Sequence, residues 1–282
     1  MRIAFIFIAE AYQAYHLAAV ALKLRRMEGV SIDVFYNDPE TPRHLNRIAA
    51  AHGETPLDAR PLSLDWRAQL IRIPRIFGLA KQQVLSANRV TLQQYDMLVF
   101  PERVGSILKA GGWNKQTALA YIAHGPAGRK VAAERLARDF DLILLPGEED
   151  MARYLKAGCL HEGGYRITGY PKLETVGVLH QVYPPLFTND RPVILYNPHK
   201  VRRQSSWSRC IEPMLTMMSH QHDFNLVIAP HIKMFHRKSQ RVRDAWAARS
   251  TNHILIDPGS DRCLDNSYTA IADIYVGDVS SQ

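Results

Sequence analysis

Residues 141–158 read DLILLPGEEDMARYLKAG: an apolar run, a Pro-Gly break, three acidic residues, an amphipathic stretch and a closing glycine. The run 141–145 has the length and apolar character of a strand covered on both faces. Glu148, Glu149 and Asp150 suit the positive end of a helix dipole and Gly158 suits its stop, so 148–157 is predicted helical. A buried strand running straight into a helix is half of a βαβ unit, and the same alternation extends in both directions. Upstream, strands are expected at 2–8, 31–36, 96–100 and 118–123, with a helix over 11–27; downstream, one is expected at 165–168. The stretch 181–191, QVYPPLFTNDR, breaks the periodicity. Strands then resume at 192–196, 225–229, 253–256 and 273–277. Strand starts lie roughly 20–35 residues apart, the length of a βαβ crossover, and there is no internal repeat. The fold class expected is α/β: two successive Rossmann-like domains with parallel sheets, 1–183 and 184–282.

Composition narrows the classes. With 46% hydrophobic and 22% charged residues in 282, the chain is neither collagen-like, coiled-coil nor disordered. No apolar run approaches the ~20 residues a membrane span needs. The opening MRIAFIFIAEAYQ is broken by Glu10 and has no cleavage pattern, so it reads as a first strand. Cys159, Cys210 and Cys263 are few and far apart, which argues against a disulfide framework and for a cytoplasmic location. A balance of 35 basic to 27 acidic residues, net +8, favours an anionic partner.

In open α/β sheets ligands bind beyond the carboxyl ends of the strands, so the residues at those ends carry the chemistry. After 118–123 comes His124-Gly125-Pro126-Ala127-Gly128-Arg129-Lys130, in which His124 is either a general base on a hydroxyl or a turn histidine. The spacing is not GxxxxGK[ST], which excludes a Walker nucleotidase. After 165–168 comes the turn Gly169-Tyr170-Pro171-Lys172 before a helix, with Tyr170 and Lys172 as candidates to line a cleft. After 192–196 comes Asn197-Pro198-His199-Lys200, then Arg202 and Arg203, which suits either phosphate binding or a solvated basic loop. After 225–229 comes Pro230-His231-Ile232-Lys233 and an expected basic helix carrying Arg237, Lys238, Arg241 and Arg243. After 273–277, Asp278-Val279-Ser280-Ser281 suits a phosphate held at a helix N-terminus.

Other chemistries are poorly supported. There is no GxSxG, no GxGxxG after a strand and no CxxC. Asp139-Phe140-Asp141 has DxD spacing but leads directly into a strand, and His220 and His222 have no clear third ligand, so no metal is expected. Segment 60–90 interleaves Trp66, Leu70, Ile71, Ile73, Ile76 and Phe77 with Arg67, Arg72 and Arg75. That composition suits either an anionic membrane surface or a domain helix with a solvated basic face. No nucleic-acid-binding module accompanies the charge.

Taken in order, these strand ends resemble the CDP-glycerol glycerophosphotransferase family, the polymerases and primases of teichoic-acid-like polymers. The matching features are His124-Gly125-Pro126, a strand and helix leading to Gly169-Tyr170-Pro171, Pro230-His231 in inverted order, and Ala272-Asp273-Ile274-Tyr275-Val276-Gly277-Asp278-Val279-Ser280-Ser281. The resemblance covers about 115–282. It implies a GT-B architecture with an N-terminal acceptor domain and a C-terminal donor domain. It further implies His124 and His231 as the catalytic residues, His124 as base on the acceptor hydroxyl, with His231, Ser280 and Ser281 facing the donor's diphosphate. Lys200, Arg202, Lys233 and Asp278 complete the expected phosphate site; Gly125, Pro126, Gly169, Tyr170, Pro171, Lys172 and His199 line the cleft. The implied reaction is attack of an acceptor hydroxyl on the donor's β-phosphorus with release of CMP, and no cofactor or metal is implied.

The chain departs from the family at Lys172-Leu173-Glu174, where Arg-Asn-Asp is usual, and at Asn197-Pro198-His199-Lys200. The donor therefore stays open between CDP-glycerol, CDP-ribitol and a sugar nucleotide. UDP-N-acetylglucosamine 2-epimerases and other GT-B glycosyltransferases are the alternative reading, and a non-catalytic scaffold is a third. The expected partners are a CDP- or UDP-linked donor and a polymer or lipid-linked acceptor. Peripheral contact with the inner face of the cytoplasmic membrane through 60–90 is a further expectation. Four C-terminal strands where the resemblance implies about six lead to the expectation of a C-terminal domain truncated near its donor site.

Overall fold

The computed structural model describes residues 1–64, 77–109, 113, 116–123 and 137–278. The chain divides into two compact units, Met1–Thr175 and Val176–Gln282. The division lies upstream of the prolines at 184–185 because the residues around them pack on the second unit. Tyr183 donates to Asp265 Oδ2 at 2.6 Å, Arg262 donates to the Pro184 carbonyl at 2.8 Å, and Leu186 and Phe187 join the second core.

The first unit carries seven strands: β1 (Arg2–Phe7), β2 (Ser31–Tyr36), β3 (Ala59–Pro61), β4 (Met97–Phe100), β5 (Ala118–Ile122), β6 (Leu142–Leu145) and β7 (Tyr165–Ile167). They form one parallel sheet in the order β3-β2-β1-β4-β5-β6-β7. Within it β1 is flanked on both sides, and every residue of β1 after Arg2 is buried. The second unit carries β8 (Val193–Asn197), β9 (Asn225–Ile228), β10 (Ile254–Ile256) and β11 (Ile274–Gly277), all parallel in the order β10-β9-β8-β11.

The expected α/β class with two parallel sheets is the observed one. Helix Glu148–Lys156 opens on its three acids and closes with Arg153 and Lys156, as the dipole argument requires. The helix expected over 11–27 is a short 3-10 turn, Ala11–Gln13, followed by Ala14–Arg25. The basic helix expected after β9 starts later than read. It spans Gln240–Ala247, and Arg237 and Lys238 lie in the turns before it. Ser239 is extended there (φ −62°, ψ 156°), and serine at that position favours helix entry over helix continuation. β3 was not foreseen. It is three residues long, ends in proline and sits at a sheet edge, where a missing N–H is tolerated.

Both sheets bury apolar side chains on two faces, except at the edge strand β11, whose four residues are exposed. In the second unit, Tyr196, Leu226 and Ile228 point to one core with Ile211, Met218, Ile254 and Ile256, while Leu195, Val227 and Ala229 point to another with Cys263 and Tyr268. This period-2 alternation of apolar side chains to opposite faces leaves the loops at the carboxyl ends as the place for polar chemistry.

Candidate functional site

In the second unit the chain runs β8, β9, β10 outward and then returns to place β11 on the other side of β8. The crevice beyond β8 and β11 is thus the topological switch point, where open sheets of this kind bind ligands. Residues from three strand ends meet there. Asp278, just after β11, accepts the backbone N–H of His199 at 2.8 Å and of Ser206 at 2.9 Å, clamping the loop that follows β8. Burial works to raise the Asp278 pKa, but the N–H bonds from His199 and Ser206 outweigh it and hold the carboxyl below its ordinary range. Asn197 donates to the Ala229 carbonyl at 2.5 Å and accepts from Tyr275 at 3.3 Å, and the His231 N–H donates to the Pro198 carbonyl at 3.0 Å. Below the loops Trp207 packs edge-on against Trp246 and Phe235.

His199 and His231 face each other with ring centroids 5.6 Å apart, nearly perpendicular. Each ring Nδ1 accepts a backbone N–H two residues on, from Val201 at 3.1 Å and from Lys233 at 3.1 Å. With Nδ1 an acceptor, the neutral imidazole carries its proton on Nε2, a tautomer assigned from these bonds. His199 is buried and His231 half-buried. Burial first, then the charges of Lys200, His199 and Lys233, push the His231 pKa down to about 4. At neutral pH His231 is therefore an uncharged hydrogen-bond donor, a geometry suited to holding an anionic oxygen rather than to removing a proton. Lys200, Arg202 and Lys233 are exposed on the same two loops. One oxygen of Asp278, Oδ2, takes both backbone bonds and so orders the loop that follows β8.

A hollow of about 540 Å³ opens at the carboxyl end of β10, lined among others by Tyr183, Leu255, Asp257, Arg262 and Tyr268. The Arg262 guanidinium stacks 4.1 Å over the Tyr183 ring, and Tyr268 donates to Asp257 Oδ2 at 2.6 Å.

The first unit has the same topology at its centre: β1, β2 and β3 run one way, and β4 returns to the other side of β1. Gln13, after β1, donates to Glu102 Oε1 at 2.6 Å, and Lys81 donates to Glu102 Oε2 at 2.5 Å. None of the three stands out in the sequence, because they come from three separate segments and match no local motif. The Gly169-Tyr170-Pro171-Lys172 turn packs on this unit: Gly169 takes φ 78°, a left-handed conformation glycine adopts freely, and the Tyr170 hydroxyl lies 3.1 Å from His16 Nδ1. Pro171 immediately precedes the helix Lys172–Leu179, and Lys172 is buried. Asp141 accepts from the Leu119 N–H at 2.7 Å and from Lys109 at 2.8 Å, a structural role for the DxD-like pair. Among the described residues no group of three or more His, Cys, Asp or Glu could hold a metal, and no helix is long and apolar enough to cross a membrane. His124, Gly125, Pro126, Ser280 and Ser281 lie outside the described residues, as does 65–76, with most of the apolar and basic residues of segment 60–90. The later part of that segment forms helix Phe77–Ala87, which buries Val84 and Leu85 in the core.

No protein-family model matches the sequence, and no curated protein matches it at the sequence level. Solved structures do match the fold. A UDP-GlcNAc 2-epimerase from Neisseria meningitidis, solved with UDP-GlcNAc bound, aligns over 100% of this chain and 78% of its own, with a TM-score of 0.70 at 14% identity. S. aureus MnaA, solved with UDP, aligns over 99% and 74%, with a TM-score of 0.66 at 14% identity. The wall teichoic acid polymerase TagF aligns over 99% and 66%, with a TM-score of 0.59 at 12% identity. The likeness is one of fold: Rossmann-like units of the GT-B type.

Proposed function

We propose that the chain is an enzyme acting on a nucleotide-linked donor, and that it transfers a glycerol-phosphate or related polyol-phosphate unit from a CDP-linked donor to a hydroxyl of a surface-polymer or lipid-linked acceptor. The observation that carries this reading is the switch point of the second unit, where His231, a neutral Nε2–H donor, feels the charges of Lys200 and Lys233 and lies against a loop after β8 that Asp278 clamps. Two lysines and a neutral donor are complementary to a diphosphate, and fixed donors of this kind stabilise charge without reorganising. The reading also assigns Arg202 and His199 to donor binding, together with Ser280 and Ser281, which lie outside the described residues. A shallow hollow of about 540 Å³ lies at the carboxyl end of β10 in the same unit.

In the reaction an acceptor oxygen attacks the β-phosphorus in line, and its proton passes to His124 as base. The bond from that phosphorus to the bridging oxygen breaks, and the oxygen leaves with CMP. Lys200, Lys233 and His231 meet the charge on the transferring group. Segment 60–90 docks the chain peripherally on an anionic membrane surface, where a lipid-linked acceptor would be found.

A second reading, a UDP-sugar-dependent glycosyltransferase or 2-epimerase, is favoured by the higher TM-score of 0.70 to the Neisseria enzyme. One assay separates the two. The protein is incubated with CDP-glycerol or UDP-GlcNAc, with and without a lipid-linked acceptor mixture, and nucleotide release is measured. CMP release that needs acceptor supports phosphotransfer; UDP release supports glycosyl transfer; epimerisation without acceptor supports the second reading. Activity unchanged by both His124→Ala and His231→Ala would refute the mechanism given.

A further inference from the structure

The switch point of the first unit holds polar groups whose bonding is incomplete. Gln13 is only 3% exposed, yet its Oε1 has no hydrogen-bond partner among the described residues. An unpaired buried acceptor is rare, because the group gives up its bonds to water and gains none in return. The other end of the same amide is firmly placed, its Nε2 donating to Glu102 at 2.6 Å. Lys81 fixes the second carboxylate oxygen at 2.5 Å, so Glu102 is held from two sides while its side chain keeps 21% of its surface open. A carboxylate oxygen accepts more than one bond, so capacity remains on Glu102 as well as on Gln13. The cluster therefore holds two adjacent acceptors after β1 and β4, neighbouring strands inside a parallel sheet: the Gln13 oxygen is enclosed and the Glu102 carboxylate is partly open.

We propose that Gln13 and Glu102 form a binding site for a hydroxyl-rich group, a polyol or sugar, with neighbouring O–H groups donating to Gln13 Oε1 and to the Glu102 carboxylate. Lys81 is a positioning residue: it fixes the carboxylate and offsets its charge, so a neutral hydroxyl compound is preferred over a cation. An anionic ligand would meet a carboxylate with no hydrogen to give. The site rests on the transferase reading only in its assignment to the acceptor, since hydroxyl recognition stands on the geometry of the first unit alone.

The test is saturation-transfer NMR on the full chain, using glycerol and methyl N-acetyl-β-glucosaminide as probes. Wild type is compared with Glu102→Gln, which keeps the shape, and Gln13→Met, which keeps the bulk. Thermal shift with CDP-glycerol and UDP-GlcNAc is measured in parallel as a readout of the second unit. The expected result is a probe signal in wild type that falls at least five-fold in each folded variant, with the nucleotide-induced shift unchanged. No probe signal in wild type, or a wild-type signal in folded Glu102→Gln, overturns the proposal. If Gln13→Met fails to fold, Glu102→Gln alone decides. A variant-sensitive probe signal without any nucleotide shift upholds this site and refutes the donor reading; a nucleotide shift without probe signal does the reverse.

Discussion

Replacing Asp278 by alanine removes two charge-assisted bonds at once, from the His199 N–H at 2.8 Å and the Ser206 N–H at 2.9 Å. Bonds to charged groups contribute roughly 1.5–3 kcal/mol each where water is excluded. Asp278 is only half-buried and water can replace it in part, so each bond falls to about 1 kcal/mol, the ordinary value for a hydrogen bond, and the clamp is worth about 2 kcal/mol in total. At about 1.4 kcal/mol per factor of ten, local opening of the loop becomes roughly 30-fold more frequent. Amide exchange read by mass spectrometry should show that acceleration across 199–206 and little change in β9 or β10. Asp278→Asn keeps an acceptor oxygen without the charge and should recover about half of the loss in kcal/mol. Because the folded pKa of Asp278 is lowered, the clamp is at full strength above the unfolded carboxylate pKa and is lost as pH falls through the folded value. Exchange in Asp278→Ala within two-fold of wild type would refute the claim that this carboxylate orders the loop.

Further outcomes are expected. His231→Gln, whose amide N–H stands near the position of Nε2–H, should retain most of the thermal shift given by the nucleotide-linked donor; His231→Asn should lose it, and equal loss in both would count against the donor role. With a folded pKa near 4 against the ordinary 6.5, His231 lowers stability as pH falls from about 6.5 to 4, since the unfolded chain binds the extra proton, and His231→Gln should flatten that part of a stability–pH curve. Tyr268→Phe strips the 2.6 Å bond from buried Asp257 and should cost about 1–2 kcal/mol, a drop of several degrees in melting temperature for a domain of about 100 residues. If 60–90 docks on membrane, co-sedimentation with anionic vesicles should fall steeply with salt, and no binding at low salt would remove that idea.

The parts of the fold written locally were legible. Ser31–Tyr36 and Glu148–Lys156 announce themselves by apolar period, acidic entry and glycine exit, all within one segment. That His199, Lys200, His231 and Lys233 fall in the loops after β8 and β9 was legible for the same reason, because a loop after an apolar run is visible in one dimension. Everything that depends on strand order was illegible. Gln13 and Glu102 are 89 residues apart, and only the return of β4 to the far side of β1 brings them together. The clamping bond of Asp278 is illegible likewise, since its partner His199 lies 79 residues away and the local pattern Asp-x-Ser-Ser does not point to it. The tautomer of His231 depends on a backbone N–H two residues on, a matter of turn geometry that residue type alone does not encode.

The all-parallel order of the second sheet also sets when the molecule becomes competent. No hairpin is available in it, so each pairing must close a long loop before any contact rewards it, and closures of high sequence separation are slow. β8 meets β9 across about one crossover, but β11 reaches β8 over a separation of 80 residues, as the bond from the Val193 N–H to Asp273 shows. Asp278 can grip the His199 loop only after that closure. Refolding tracked by pulsed exchange should therefore protect β8 and β9 first and the loop 199–206 last. The chain would pass through an interval in which the core of its second unit is formed and the loop 199–206 is still unset.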